Sequence, residues 1–270
     1  ARSLERPTLY ARVNTQKCTV PQCAEQLEQQ GVQVRVDPDL PGCIALSHTA
    51  SIERLDAFQQ GLLHIQDKSS QLCVAALDAK PGERVLDCCA APGSKSFTVA
   101  EWMEDSGEIV SCDIFEEKIK KIREGAKRLN LSSIRAMLQD ATAYREDFGL
   151  FDRVLCDAPC SGIGIIGRKP EIKYKDQKEL LDLPAVQAKI LDQVSRYVKQ
   201  GGRLIYSTCT LLQQENAAVV EQFLHSHPEF VPCPLPKQVL QALHREDGWQ
   251  ATLLGEEDTD GFFIASMQRV

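Results

Sequence analysis

From about Gln66 onward the chain alternates. Apolar runs of strand length (RVLDCC, EIVSCD, SIRAMLQD, FDRVLCD, RLIYST and FFIASMQ) are separated by stretches with helical spacing (KSFTVAEWM, EEKIKKIREGAKRL, KELLDLPAVQAKILDQVSRYV and ENAAVVEQFLHSH). Near-continuous apolar runs suit strands buried on both faces, and intervening helices make the connections crossovers. A parallel α/β sheet with helices on both faces is therefore expected. Ligands bind such sheets beyond the carboxyl ends of the strands. Four runs lead to an acid, Asp87, Asp113, Asp140 and Asp157, and a fifth to Cys209 after Tyr206-Ser207-Thr208. One such Asp is as often a helix cap. Four in series predict carboxylates and a thiol gathered along one edge.

Residues 8–65 read differently. TLYARVNT, VQVRVD, CIALS and LLHIQD are strand-like, with VPQCAEQLEQQ and SIERLDAFQQG helical between them. The second helix is expected to start at Ser51. This β-α-β-β-α-β order predicts a small split βαβ unit. Two domains follow, 1–66 and 67–270, within what 270 residues allow. The chain starts ARSLERP without Met, which reads as a piece of a longer protein.

The eleven cysteines form no CxxC pair and only five His are present, so no metal site is expected. Thiols inside apolar runs, such as Cys112 and Cys156, read as small buried hydrophobes in a reducing cytoplasm. No run approaches the length that spans a bilayer, and no membrane partner is expected. The net charge of −7 is not that of a general nucleic-acid binder. Basic residues nevertheless crowd Lys118 to Arg128 and Arg168 to Lys178, and an acidic protein can carry a basic working face.

The segment Asp87-Cys88-Cys89-Ala90-Ala91-Pro92-Gly93-Ser94-Lys95 joins the first core strand to its helix. It holds one glycine, so it fits neither GxGxxG nor GxxxxGK[ST]. A cofactor without phosphates needs fewer glycines. Asp113, twenty residues after Gly93, stands where an acid takes ribose hydroxyls, and Asp140 could accept from an adenine amino group. Ribose and adenine without phosphates point to S-adenosylmethionine.

Cys160 and Cys209 follow successive core strands in turn-like sequence, APCSG and STCT. Thr210-x-x-Gln213 fits a capping box, which would put Cys209 at a helix N-terminus and lower its pKa. A thiolate beside a methyl donor suits pyrimidine C5 chemistry. Addition to C6 makes C5 nucleophilic, and Asp157 could stabilise the proton gained at N3. Spacing alone does not rank the two thiols.

The motifs VLDCCAAPGSKS, DAPCSGIG, IGRKPEIKY, GGRLIYSTCTLLQQEN and DTDGFF resemble the RNA cytosine-5 methyltransferases, within them the bacterial Sun or Fmu branch acting on 16S rRNA. The resemblance runs from about residue 11 to the C-terminus. It implies a Rossmann-like class I methyltransferase sheet, a small N-terminal RNA-recognition-motif-like subdomain, and a NusB-like RNA-binding domain upstream. By motif, Cys89, Ala90, Ala91, Pro92, Gly93, Ser94 and Lys95 resemble the cofactor loop. Asp113, Asp140 and Asp157 resemble the acids that contact S-adenosylmethionine. Cys209 resembles the nucleophile and Cys160 the cysteine that aids product release. Ser94 stands where the family usually has Gly, and Gly167 where many members have Arg.

Arg168, Lys169, Lys173 and Lys175 directly follow the Cys160 loop and are expected to hold RNA phosphates, with Tyr174 available to stack. Lys118 to Arg128 are expected on a plain surface. The expected activity is methylation of 16S rRNA at cytosine C5 by a monomer. The alternatives are an exocyclic-amine methyltransferase, reading DAPC as a relative of an acid-Pro-Pro-aromatic signature, and a catalytically silent RNA-binding protein.

Overall fold

The computed structural model describes residues 8–49, 51–174, 177–254 and 259–270. Within them are two sheets. The first comes from β1 (Leu9–Val13), α1 (Val20–Gln29), β2 (Gln33–Val36), β3 (Cys43–Ser47), α2 (Asp56–Gln59) and β4 (Leu63–Ile65). Its order β2-β3-β1-β4 is antiparallel throughout. Helix α1 forms where expected because Thr19 and Gln22 cap it reciprocally and Cys23 and Leu27 share its buried face. The expected helix from Ser51 is instead a 3-10 turn, Ile52–Arg54, and the four-residue α2, separated by the extended Leu55. Ser51 makes no capping hydrogen bond, so nothing nucleates a single longer helix there.

The second sheet follows α3 (Lys68–Leu77), α4 (Ser94–Trp102), α5 (Glu116–Leu129), α6 (Gln177–Ser195), α7 (Ala217–Ser226) and α8 (Lys237–Ala242) in alternation with its strands. These are β5 (Arg84–Asp87), β6 (Glu108–Asp113), β7 (Ile134–Leu138), β8 (Phe151–Asp157), β9 (Val198–Thr208), β10 (Phe230–Pro232), β11 (Gln250–Leu254) and β12 (Gly261–Arg269). The order is β7-β6-β5-β8-β9-β12, with β10 and β11 both on the outer edge of β12. Strands β5 to β9 are parallel, as expected. The expected all-parallel sheet is corrected at its edge, where β12 runs antiparallel to β9. An apolar run such as FFIASMQ reads alike in either direction, so patterning could not show this.

Each face of this sheet carries its own core. One includes Leu72, Phe97, Ile119, Ile122 and Val239; the other includes Ile190, Leu191, Val220 and Phe223. Helix α5 shows the local rule: Ile119, Ile122, Ala126 and Leu129 lie on one buried stripe, and its charged residues face water. The two sheets are joined by polar contacts at α5. Asn14 Nδ2 donates to the carbonyl of Leu129 at 3.0 Å, and Arg128 Nη1 to those of Phe58 and Leu63 at 2.6 and 2.9 Å. Arg128 also lies 3.8 Å from the Phe58 ring centroid. The end of the basic α5 stretch, expected to be plain surface, is thus a joint between the two units.

Candidate active site

Strand order reverses between β5 and β8, so the loops after them leave toward opposite faces and open a crevice. A cavity of about 560 Å³ fills it. Cys89, Ala91, Asp113, Asp140, Asp157, Cys160, Lys169 and Cys209 line it. Most of the expected residues are therefore brought together from five strand ends. Asp87 is not among them: it is 1% exposed and turned inward, accepting from Ser96 Oγ at 2.7 Å. Burial pushes its carboxyl up to about 7, only partly opposed by that hydrogen bond.

Three backbone donors of the loop after β5 are engaged: the amide of Cys88 donates to the carbonyl of Leu155, that of Ala90 to Cys112 and that of Gly93 to Ala90. Gly93, at φ 111°, forms the N-terminal cap of α4, and its missing side chain makes room for the Phe97 ring. Ala90 is buried. Pro92 and Ser94 face a separate groove with Phe58 and Phe97, away from the cavity. Lys95 turns back: its Nζ lies 2.7 Å from Asp157 Oδ2, while Ser207 Oγ donates to Oδ1 at 2.8 Å. Burial works against the Lys95 ammonium, but Asp157 and other nearby anionic groups outweigh it and hold it charged above the usual lysine range.

The two thiols meet. Cys160 Sγ and Cys209 Sγ are 3.2 Å apart, beside Asp157. Either sulfur can donate in this hydrogen bond, which lowers the Cys209 thiol and raises that of Cys160. The positive charge of Lys95 also favours the Cys209 thiolate, against burial and Asp157. The expected reason for this low pKa is corrected. Residues Gln213–Glu215 form a 3-10 turn, α7 starts at Ala217, and the cap positions of both lack side-chain hydrogen bonds. Thr210 Oγ1 is engaged with Ser161 Oγ at 2.7 Å and caps no helix.

The loops carrying the thiols touch through glycine. The Gly164 amide donates to the Cys209 carbonyl at 3.0 Å. A Cβ on Gly164 would lie 2.0 Å from the carbonyl oxygen of Gly261 and 2.9 Å from that of Cys209. Gly164→Ala is expected to push the loops apart and reduce turnover about 100-fold, the scale of a 1 Å misplacement. Steady-state kinetics beside a thermal melt checks this, with a stability loss of about 1–3 kcal/mol.

Three expectations for the basic run divide. Lys169 and Lys173 are exposed, and Tyr174 is 87% exposed. Arg168 is corrected: its guanidinium is bound to Asp67 at 2.6 Å, to Asp260 at 2.7 Å and to the carbonyl of Thr8. It braces the loop instead of facing a phosphate. Lys175 lies outside the described residues. Sequence reasoning missed Ile114 and Phe115, 53% and 45% exposed on the cavity wall, and Lys118, which reaches Asp113 at 3.6 Å. The available signal was an apolar pair after Asp113, where a polar helix cap is usual.

Residues 74–268 match the family model described as 16S rRNA methyltransferase RsmB/F, and residues 1–53 match that of the RsmF/B-like ferredoxin-like domain. The chain is 40% identical over 269 residues to a probable ribosomal RNA small subunit methyltransferase B of Bacillus subtilis, covering 97% of this chain and 60% of that protein. It superposes on the crystal structure of PH0851 with a TM-score of 0.91 at 31% identity, over 99% of this chain and 61% of that one. A methyltransferase homologue from Pyrococcus horikoshii matches at 0.82 and 28%, over 99% and 88%. The chain thus spans about 60% of the curated relative's length. Methyltransferases of this family use S-adenosylmethionine, and the crevice fits it, with acids at neighbouring strand ends and an apolar wall between them. Fold, crevice and family model agree, and the chain belongs to the 16S rRNA methyltransferase RsmB/F family.

Proposed function

We propose that this chain is the catalytic part of a 16S rRNA cytosine-C5 methyltransferase that works through a covalent bond from Cys209 to C6 of the target base. The observation that carries this is the pair of thiols 3.2 Å apart beside the Asp157–Lys95 ion pair, at the cavity that suits the cofactor. Asp113 and Asp140 would hold the ribose and adenine of S-adenosylmethionine, which supplies an electrophilic methyl group when bound. The Cys209 thiolate adds to C6 as N3 takes a proton from solvent water, and the Asp157 carboxylate accepts a hydrogen bond from that N3–H. The C5 carbon, now part of an enamine, takes the methyl group. The C5 proton then passes to water, its electron pair re-forms the C5–C6 double bond and expels Cys209 as thiolate, and N3 returns its proton to water. The Cys160 thiol donates to the departing sulfur. Lys95 keeps Asp157 oriented through all steps.

The target base must leave its stack to reach these groups. Exposed Lys169 and Lys173, joined by Lys175, hold the flanking phosphates, and Tyr174 offers a ring to a neighbouring base. The test is methyl transfer to protein-free 16S rRNA carrying tritium at cytosine C5. The expected result is one tritium released per methyl group incorporated. Methylation at N4 with tritium retained would overturn the C5 mechanism in favour of an exocyclic-amine reaction. Cofactor binding without transfer would favour a silent RNA-binding protein.

A further inference from the structure

Glu215 has no exposed surface, and no cation pairs with it among the described residues. Burying a carboxylate without a counter-charge is costly unless donors surround it. Here they do. Glu215 Oε2 accepts from the Ser161 amide at 2.9 Å and from Gln187 Nε2 at 2.8 Å. Thr210 Oγ1 donates to Oε1 at 3.4 Å, and Ser161 Oγ lies 2.7 Å from Thr210 Oγ1. The same Gln187 nitrogen donates to the carbonyl of Pro159. Ser161 directly follows Cys160, and Thr210 directly follows Cys209. One carboxylate therefore binds the residue after each thiol, on loops from two different strands. It touches neither sulfur.

We propose that Glu215 is a positioning residue that sets the spacing of Cys160 and Cys209. The catalytic consequence rests on the methyltransferase reading above; the spacing itself does not. With the carboxylate removed, the loops keep the Gly164–Cys209 backbone bond and the Ser161–Thr210 hydroxyl pair, but the Ser161 amide and Gln187 lose their shared acceptor. The two loops then shift against each other and the contact between the sulfurs lengthens. A glutamine at 215 retains the clamp, with its oxygen toward Ser161 and Gln187 and its nitrogen donating to Thr210 Oγ1.

The experiment follows alkylation of the Cys209 peptide by iodoacetamide against pH, by mass spectrometry on the full chain. Glu215→Ala and Cys160→Ala are expected to raise the apparent Cys209 pKa alike, slowing alkylation at neutral pH about tenfold per unit. Glu215→Gln is expected to follow the wild-type curve. In turnover, Glu215→Ala is expected to lower kcat about 100-fold with KM for RNA unchanged. A folded Glu215→Ala protein with the wild-type alkylation curve would overturn the clamp. If that variant does not fold, Thr210→Val, which frees one loop only, carries the same measurement: a smaller rise supports the clamp and no rise overturns it. A shifted curve in a protein whose wild type is inactive on RNA overturns the methyltransferase reading and leaves the clamp standing. An active wild type with no shift does the reverse.

Discussion

Cys209→Ala is expected to abolish methyl transfer, with turnover down by on the order of 10⁵-fold or more, as for other lost covalent nucleophiles. The fold should persist, because Cys209 is half-buried at a strand end and its backbone partner, the Gly164 amide, is unaffected. Cofactor affinity, measured by calorimetry, should stay within about twofold, since Asp113 ends β6 and Asp140 follows β7. Cys160→Ala should behave differently. In the proposed mechanism its thiol assists departure, so its loss should leave Cys209 bonded to the methylated base. A protein–RNA band stable to denaturing electrophoresis should accumulate with Cys160→Ala and be absent when Cys209 is also changed to Ala. Full activity of Cys209→Ala would remove the covalent mechanism altogether.

Asp157→Ala is expected to have the second largest effect, on stability and turnover together. Its carboxylate takes Lys95 on one oxygen and Ser207 on the other. Removing it leaves a largely buried ammonium and a hydroxyl without their acceptor. Because Asp157 is itself partly exposed, the cost is discounted to about 2–3 kcal/mol, read as a lowered urea midpoint. The loss of stabilisation at N3 should slow methyl transfer about 10³-fold. The double variant Asp157→Asn with Lys95→Gln separates the roles: without a charge on either side, it should recover most of the stability and none of the turnover. The pair also fixes a sign. Lys95 is raised in the folded state, so its contribution is complete below the ordinary lysine value and is lost as pH climbs through the higher folded one. Urea midpoints taken between neutral pH and pH 11 should fall more steeply for the wild type than for the double variant, because the buried thiols and Tyr206, also raised on folding, contribute the same fall to both.

Much of the fold was legible because burial on both faces leaves continuous apolar strands, and α5 keeps its stripe against its charges. What was hidden depends on contacts far apart in sequence. Arg168 looked like a phosphate ligand, yet its partners lie 101 and 92 residues away. Thr210 and Gln213 fitted a capping box by spacing, but buried Ser161 and Glu215 take the Thr210 hydroxyl. Strand β10 is three residues long and ends in proline, and β11 is five residues long with the polar Gln250 and Thr252 in it, so they lacked the apolar signal of the central strands. Asp87, Asp113 and Asp157 all follow apolar strands, and no spacing rule says that only the first turns into the core. The ranking of Cys209 over Cys160 came from the resemblance of their motifs; Lys95 and the thiol hydrogen bond supply its physical reason.

The Arg168 brace makes the small sheet and the catalytic loop one mechanical body. Asp67 caps the first turn of α3, directly after β4, and Thr8 leads into β1. Arg168 fastens both to the segment eight residues beyond Cys160. A load applied to the first sheet is thus delivered as a lateral force on the loop that holds Cys160. The position of the small sheet and the alignment of the sulfurs share one lever arm.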